Sequence, residues 1–100
     1  MITKTKIEEY LLKTNFVDVG NLVDDYFLEL AGKVSTLKIT LSPNYNYIED
    51  SAIRFDIDSF YLDNAERIKE LLAEDIDMFN TAYEDLANFL RGKEAKWENI

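Results

Sequence analysis

Cysteine and histidine are both missing from this chain. Without cysteine there are no disulfides and no thiolate metal sites, a usage that suits a reducing compartment. Without histidine the commonest general base at neutral pH is gone, and with it the imidazole metal ligand and the usual Ser–His and Cys–His pairs. The glycines, Gly20, Gly32 and Gly92, are too scattered for a phosphate-cradling loop. Long apolar runs are also lacking. Nothing approaches the roughly 20 residues that span a bilayer, and the N-terminal lysines precede no secretory apolar stretch. These shortages point to a soluble, cytoplasmic domain without membrane attachment and without a resident cofactor or metal.

Positive charge is scarce as well: 11 Lys and Arg stand against 20 Asp and Glu, for a net charge of −9. The imbalance is lopsided, with six acids and five bases up to Ser42 and 14 acids and six bases from Pro43 onward. Such a field repels nucleic acid and anionic membrane, and attracts basic protein surfaces or cations. No basic patch interleaved with aromatics exists, so direct nucleic-acid binding is not expected. The plain alternative is an acidic surface that only keeps the protein soluble.

What the chain does have is apolar material, 47% hydrophobic and 13% aromatic over 100 residues, enough for one core and one domain. The strongest pattern runs from Asp63 to Arg91. Ala65, Ile68, Leu72, Ile76, Phe79, Tyr83, Leu86 and Leu90 recur at intervals of three and four and fall within an arc of about 80° on a helical wheel. Leu71, Met78, Ala82 and Phe89 widen it. Asp63 with Glu66 reads as a capping box, and Gly92 as the residue past the C-terminus. Opposite the apolar arc, Glu66, Glu70, Glu74, Asp77, Glu84 and Asp85 gather within about 100°.

Earlier in the chain, Thr3 to Thr14 predicts a first helix, with Thr5 and Glu8 as its capping box. Asn15 to Gly20 reads as a connection whose Phe16, Val17 and Val19 dock on the core. Residues 21–31 fit a helix capped by Asn21 and closed by Gly32, which is the favoured reading. They also alternate as Tyr26, Leu28 and Leu30, with Gly32-Lys33 as a hairpin turn. Residues 34–41 and 52–59 predict two strands paired antiparallel, the second with Ile53, Phe55 and Ile57 inward. The whole is an α+β domain: one or two N-terminal helices, a β-hairpin, a long C-terminal helix packed on it, and 93–100 as a loose tail. In that tail Trp97 either docks back on the domain or anchors a partner.

Three constellations bear on function. Asp56 and Asp58 share a strand face and could hold a divalent ion for a small metal-dependent enzyme. Arg54 beside them argues against it, and acids two apart are ordinary on an exposed strand. Asp75 and Asp77 have the spacing of a calcium loop's first ligands, but Phe79 stands where an oxygen is needed. The carboxylate row is the second constellation. Its steps of four and seven residues are about 6 and 10.5 Å, comparable to phosphate spacing along a nucleic-acid strand. Like charges four apart cost a helix a few tenths of a kcal/mol each, a cost that a merely solvated face could avoid. The third is Asn44-Tyr45-Asn46-Tyr47, a polar aromatic loop suited to protein contacts.

The leading expectation is a non-enzymatic binding or inhibitor protein. Its acidic face and Tyr45 and Tyr47 would occupy a basic site on a nucleic-acid-binding protein or nuclease. By analogy of size and charge this suits a phage anti-defence protein (anti-CRISPR or anti-restriction) or a nuclease immunity protein. A monomer is favoured over a homodimer or structural subunit built on the apolar helix face.

Overall fold

The computed structural model describes residues 3–22, 25–42, 47–56 and 65–92. Their order is α1 (Lys4–Leu12), β1 (Val17–Leu22), β2 (Asp25–Ala31), β3 (Ser35–Ser42), β4 (Tyr47–Phe55) and α2 (Ala65–Leu90). The strands form a four-stranded antiparallel meander in the order β1-β2-β3-β4, giving an α+β fold. Among the described residues no helix is long and apolar enough to cross a membrane.

In place of the expected helix over 21–31, residues 21 and 22 end β1 and residues 25–31 form β2, and the expected connection before them supplies most of the first strand. β2 forms six register pairs with β3, from Tyr26↔Leu41 to Ala31↔Thr36. This pairing sets Tyr26, Leu28 and Leu30 beside Leu41, Ile39 and Leu37, and all six are buried. A helix over the same residues would bury one stripe but leave the β3 edge groups unpaired on that side. Backbone pairing between β2 and β3 therefore decides for the strand period over the helical one that the cap and stop residues favoured. β1 pairs with β2 across a register shift between Asp18 and Gly20, where the Gly20 N–H donates to Asp18 Oδ1 at 3.0 Å.

β3 falls within a residue of its expected bounds. β4 starts five residues early, because Tyr47 and Ile48 already pair with Ser42 and Leu41, and it ends at Phe55. Ile53 and Phe55 lie on the helix-covered face by register, yet they stay 46% and 42% exposed at this edge strand. Ile57 and Asp58 lie outside the described residues.

The cap of α1 is Thr3 rather than Thr5: its hydroxyl accepts from the Lys6 N–H at 3.3 Å. Gly92 ends α2 as expected, with φ of 81° and its N–H on the Phe89 carbonyl at 3.0 Å. Asp63, the expected N-cap, lies outside the described residues. One face of the sheet carries both helices, and the core joins Ile7, Tyr10 and Phe16 to the inner rows of β2 and β3 and to Phe79, Ala82, Leu86 and Leu90. The apolar face of α2 thus packs on the sheet and on α1.

Candidate functional site

The buried residues of α2 are Asp75, Phe79, Ala82, Asp85, Leu86 and Leu90. On the wheel they centre about 50° away from the purely apolar arc. The helix is turned toward two carboxylates, and Ile76 and Tyr83 on the trailing side are left 38% and 39% exposed.

Asp75, only 2% exposed, is the reason for the turn. Its Oδ1 accepts the Lys33 N–H at 2.8 Å, and its Oδ2 accepts the Val34 N–H and the Ser35 hydroxyl, each at 2.9 Å. The β2–β3 turn is therefore assembled on a helix side chain, with one bond of its own from the Gly32 N–H to the Ser35 carbonyl at 2.7 Å. Gly32 is there for clearance: a Cβ would come within 2.4 to 2.6 Å of the Asp75 carboxyl atoms. Burial alone raises a carboxyl pKa, but the N–H groups of Lys33 and Val34 and the Ser35 donors outweigh it. Asp75 titrates below the ordinary aspartate range.

Asp85 is the second inward carboxylate, and it corrects the expected acid row. It is 6% exposed and accepts the Tyr10 hydroxyl at 2.6 Å, joining α1 to α2. The Tyr10 ring stacks on Phe89 with centroids 4.2 Å apart. Burial, the bond to Asp85 and its charge all push the Tyr10 pKa far above the tyrosine range.

Tyr26 is the opposite case. Its hydroxyl is buried with no hydrogen-bond partner among the described residues, and burial, then the charges of Glu8 and Asp18, raise its pKa. Tyr26→Phe is therefore expected to hold or raise stability by about 1 kcal/mol, read as a higher denaturation midpoint with unchanged slope.

Glu66, Glu70, Glu74, Asp77 and Glu84 remain together on the exposed face of α2. Three of them have basic neighbours: Glu74 meets Lys33 at 2.8 Å, Glu70 meets Arg67 at 3.1 Å, and Glu66 lies 3.9 Å from Lys69. The Lys33 contact lowers the Glu74 pKa. These pairs are exposed and contribute little to stability. Asp77 and Glu84 have no ion pair among the described residues.

Of the other candidates, Tyr47 opens β4 opposite Ser42, while Tyr45 lies outside the described residues. Asp56 sits one residue past β4, accepts the Thr36 hydroxyl at 3.3 Å, and donates its N–H to the Val34 carbonyl. Asp56 thus closes the strand end, and its expected companion Asp58 lies outside the described residues. Among the described residues no three acidic side chains converge as a metal site would require. Asp75 was missed as a structural residue, although it falls inside the widened apolar arc. An acid within an apolar arc is the signal that could have found it.

The fold and this surface define an α+β protein with a helix that is core on one side and acidic on the other. No protein-family model matches the chain, and neither does any curated protein or solved structure.

Proposed function

We propose that this chain is a non-enzymatic binding protein whose exposed α2 face seats on a basic surface of a partner, of the kind that handles nucleic acid. One observation supports the reading. Glu66, Glu70, Glu74, Asp77 and Glu84 occupy a face of a 26-residue helix that the core does not use, since α2 buries itself through Asp75, Phe79, Ala82, Asp85, Leu86 and Leu90. The face is therefore rigid, acidic and accessible, which favours electrostatic steering toward a basic groove. The local pairs at Glu66, Glu70 and Glu74 soften its N-terminal half and leave Asp77 and Glu84 as its most available charges. An anti-CRISPR, anti-restriction or nuclease-immunity role is the biological setting this reading fits.

The test is a triple reversal of Glu70, Asp77 and Glu84 to Lys. The fold is expected to survive, because all three are exposed. Titration against a protein captured from bacterial extracts is expected to show at least a hundredfold loss of affinity, about 3 kcal/mol. Binding of the unmodified chain weakens with salt, and DNA or RNA competes if the partner's nucleic-acid groove is the target. A captured partner bound equally well by the triple variant, without salt dependence, overturns the reading.

A further inference from the structure

Among the described residues the sheet face away from the helices is largely accessible, with Thr36, bonded to Asp56, a buried position in it. It carries three paired rows: Gly20, Phe27, Thr40 and Asp50; Val17, Glu29, Lys38 and Ala52; and Ala31, Thr36 and Arg54. Val17 and Val19 are 58% and 53% exposed there, and Phe27 is 36% exposed. Val19, Phe27, Glu29, Lys38, Asp50 and Ala52 line a shallow depression in its middle. An antiparallel sheet can leave one face in water, but that face then reads polar along each strand. Here apolar side chains stand among charges of both signs.

The charges single out an occupant. The chain carries −9 overall, so a second copy is repelled over most of the surface. Within these rows Glu29 and Asp50 are matched by Lys38 and Arg54, with Asp25 and Asp56 lying beyond the two ends. The pattern is also its own complement. A two-fold axis running along the strands, between β2 and β3, exchanges the positions of those strands and keeps their level. It lays each Lys38 over the partner copy's Glu29, each Phe27 over its Thr40, and each Val17 over its Ala52. Large side chains then meet small ones, and two cross-copy ion pairs flank the axis, as an isologous interface requires. The strands stay nearly aligned, the usual geometry for stacked sheets.

We infer that this face pairs with a second copy of the chain to form a two-fold sheet-on-sheet dimer. Four strands spaced about 4.8 Å apart and some 20 Å long present roughly 400 Å² a side, about half of a standard interface. The association is therefore weak and concentration-dependent. Both α2 helices face outward in this dimer, so the inference is independent of the reading of their acidic face.

Sedimentation equilibrium from about 10 μM to about 1 mM tests it. The expected mass climbs from the 11.7 kDa chain toward twice that value. Lys38→Glu and Glu29→Lys are each expected to weaken association at least tenfold, and the double exchange to restore it. Each single change also sets like charges opposite one another within the chain, so Val19→Lys, on an exposed edge-strand position, gives the same loss without that effect. A mass of 11.7 kDa at every concentration overturns the inference, as does a dimer untouched by these variants. A monomer that dimerises only after removal of residues 93–100 overturns it too, and assigns the face to the chain's own C-terminal segment.

Discussion

Asp75→Ala is expected to cost the fold about 3–5 kcal/mol, a large share of what a domain of this size has in total. The loss arises from the groups left behind. The Lys33 and Val34 N–H groups and the Ser35 hydroxyl all point at the missing carboxylate, and Val34 and Ser35 are 2% and 0% exposed. Buried donors without acceptors are costly, and no rearrangement within the turn supplies another acceptor that also keeps the β2–β3 register. Gly32→Ala is expected to be damaging for a coupled reason, since its methyl would overlap the carboxyl group of Asp75. Asp75→Ala removes that overlap, so the double variant falls well short of the sum, a coupling a double-mutant cycle reads directly. pH gives an independent readout. The folded pKa of Asp75 is depressed, so its contribution is present above the ordinary aspartate value of 3.8 and disappears as pH falls through the folded value. The stability gap between the unmodified chain and Asp75→Asn therefore narrows below about pH 4 in denaturant titrations. A gap that stays constant to pH 2 would show that the carboxylate's charge does not organise the turn.

Tyr10→Phe is expected to lower stability by about 1.5–3 kcal/mol. The variant keeps the ring and its stacking on Phe89, so it removes only the 2.6 Å bond to Asp85. Asp85 then remains inside with one donor fewer, between two helices that have little else polar joining them among the described residues. The alkaline side carries the signature. The folded pKa of Tyr10 is raised, so its contribution is complete below the unfolded value of 10.0 and is lost as pH climbs from there toward the folded value. Unfolding followed from about pH 8 to about pH 11 is expected to show the Tyr10→Phe deficit shrinking above pH 10. All other tyrosines are common to both proteins, so the difference isolates this one. An unchanged denaturation midpoint for Tyr10→Phe would mean that stacking and apolar contact alone dock α1.

Much of this architecture is legible without coordinates, and the exceptions have physical causes. The alternation of Leu37, Ile39 and Leu41 marks β3, and the three-and-four spacing from Ala65 to Leu90 marks α2, which Gly92 closes at a positive φ. These are local signals, each carried by one period and one stop residue, so no distant contact is needed to read them. Residues 21–31 lack such a signal, because their apolar positions satisfy both a helix and a strand. Only the pairing of Tyr26, Leu28 and Leu30 with Leu41, Ile39 and Leu37 settles it, and that depends on a neighbour outside the segment. The rotation of α2 was likewise beyond a wheel drawn from hydrophobicity. A wheel groups Asp85 with the exposed acids and leaves Asp75 as a lone acid among apolar positions, whereas both are drawn inside by donors 40 and 75 residues away, at Ser35 and Tyr10. Sequence by itself therefore determined the elements whose stabilising groups lie within them, the acidity of the outer helix face, and the lack of histidine and cysteine chemistry. The tertiary structure decided which strands pair, which way α2 turns, and which acids serve the fold rather than the surface. A hydrogen bond across the fold is made by two positions, and neither position alone carries its partner's address.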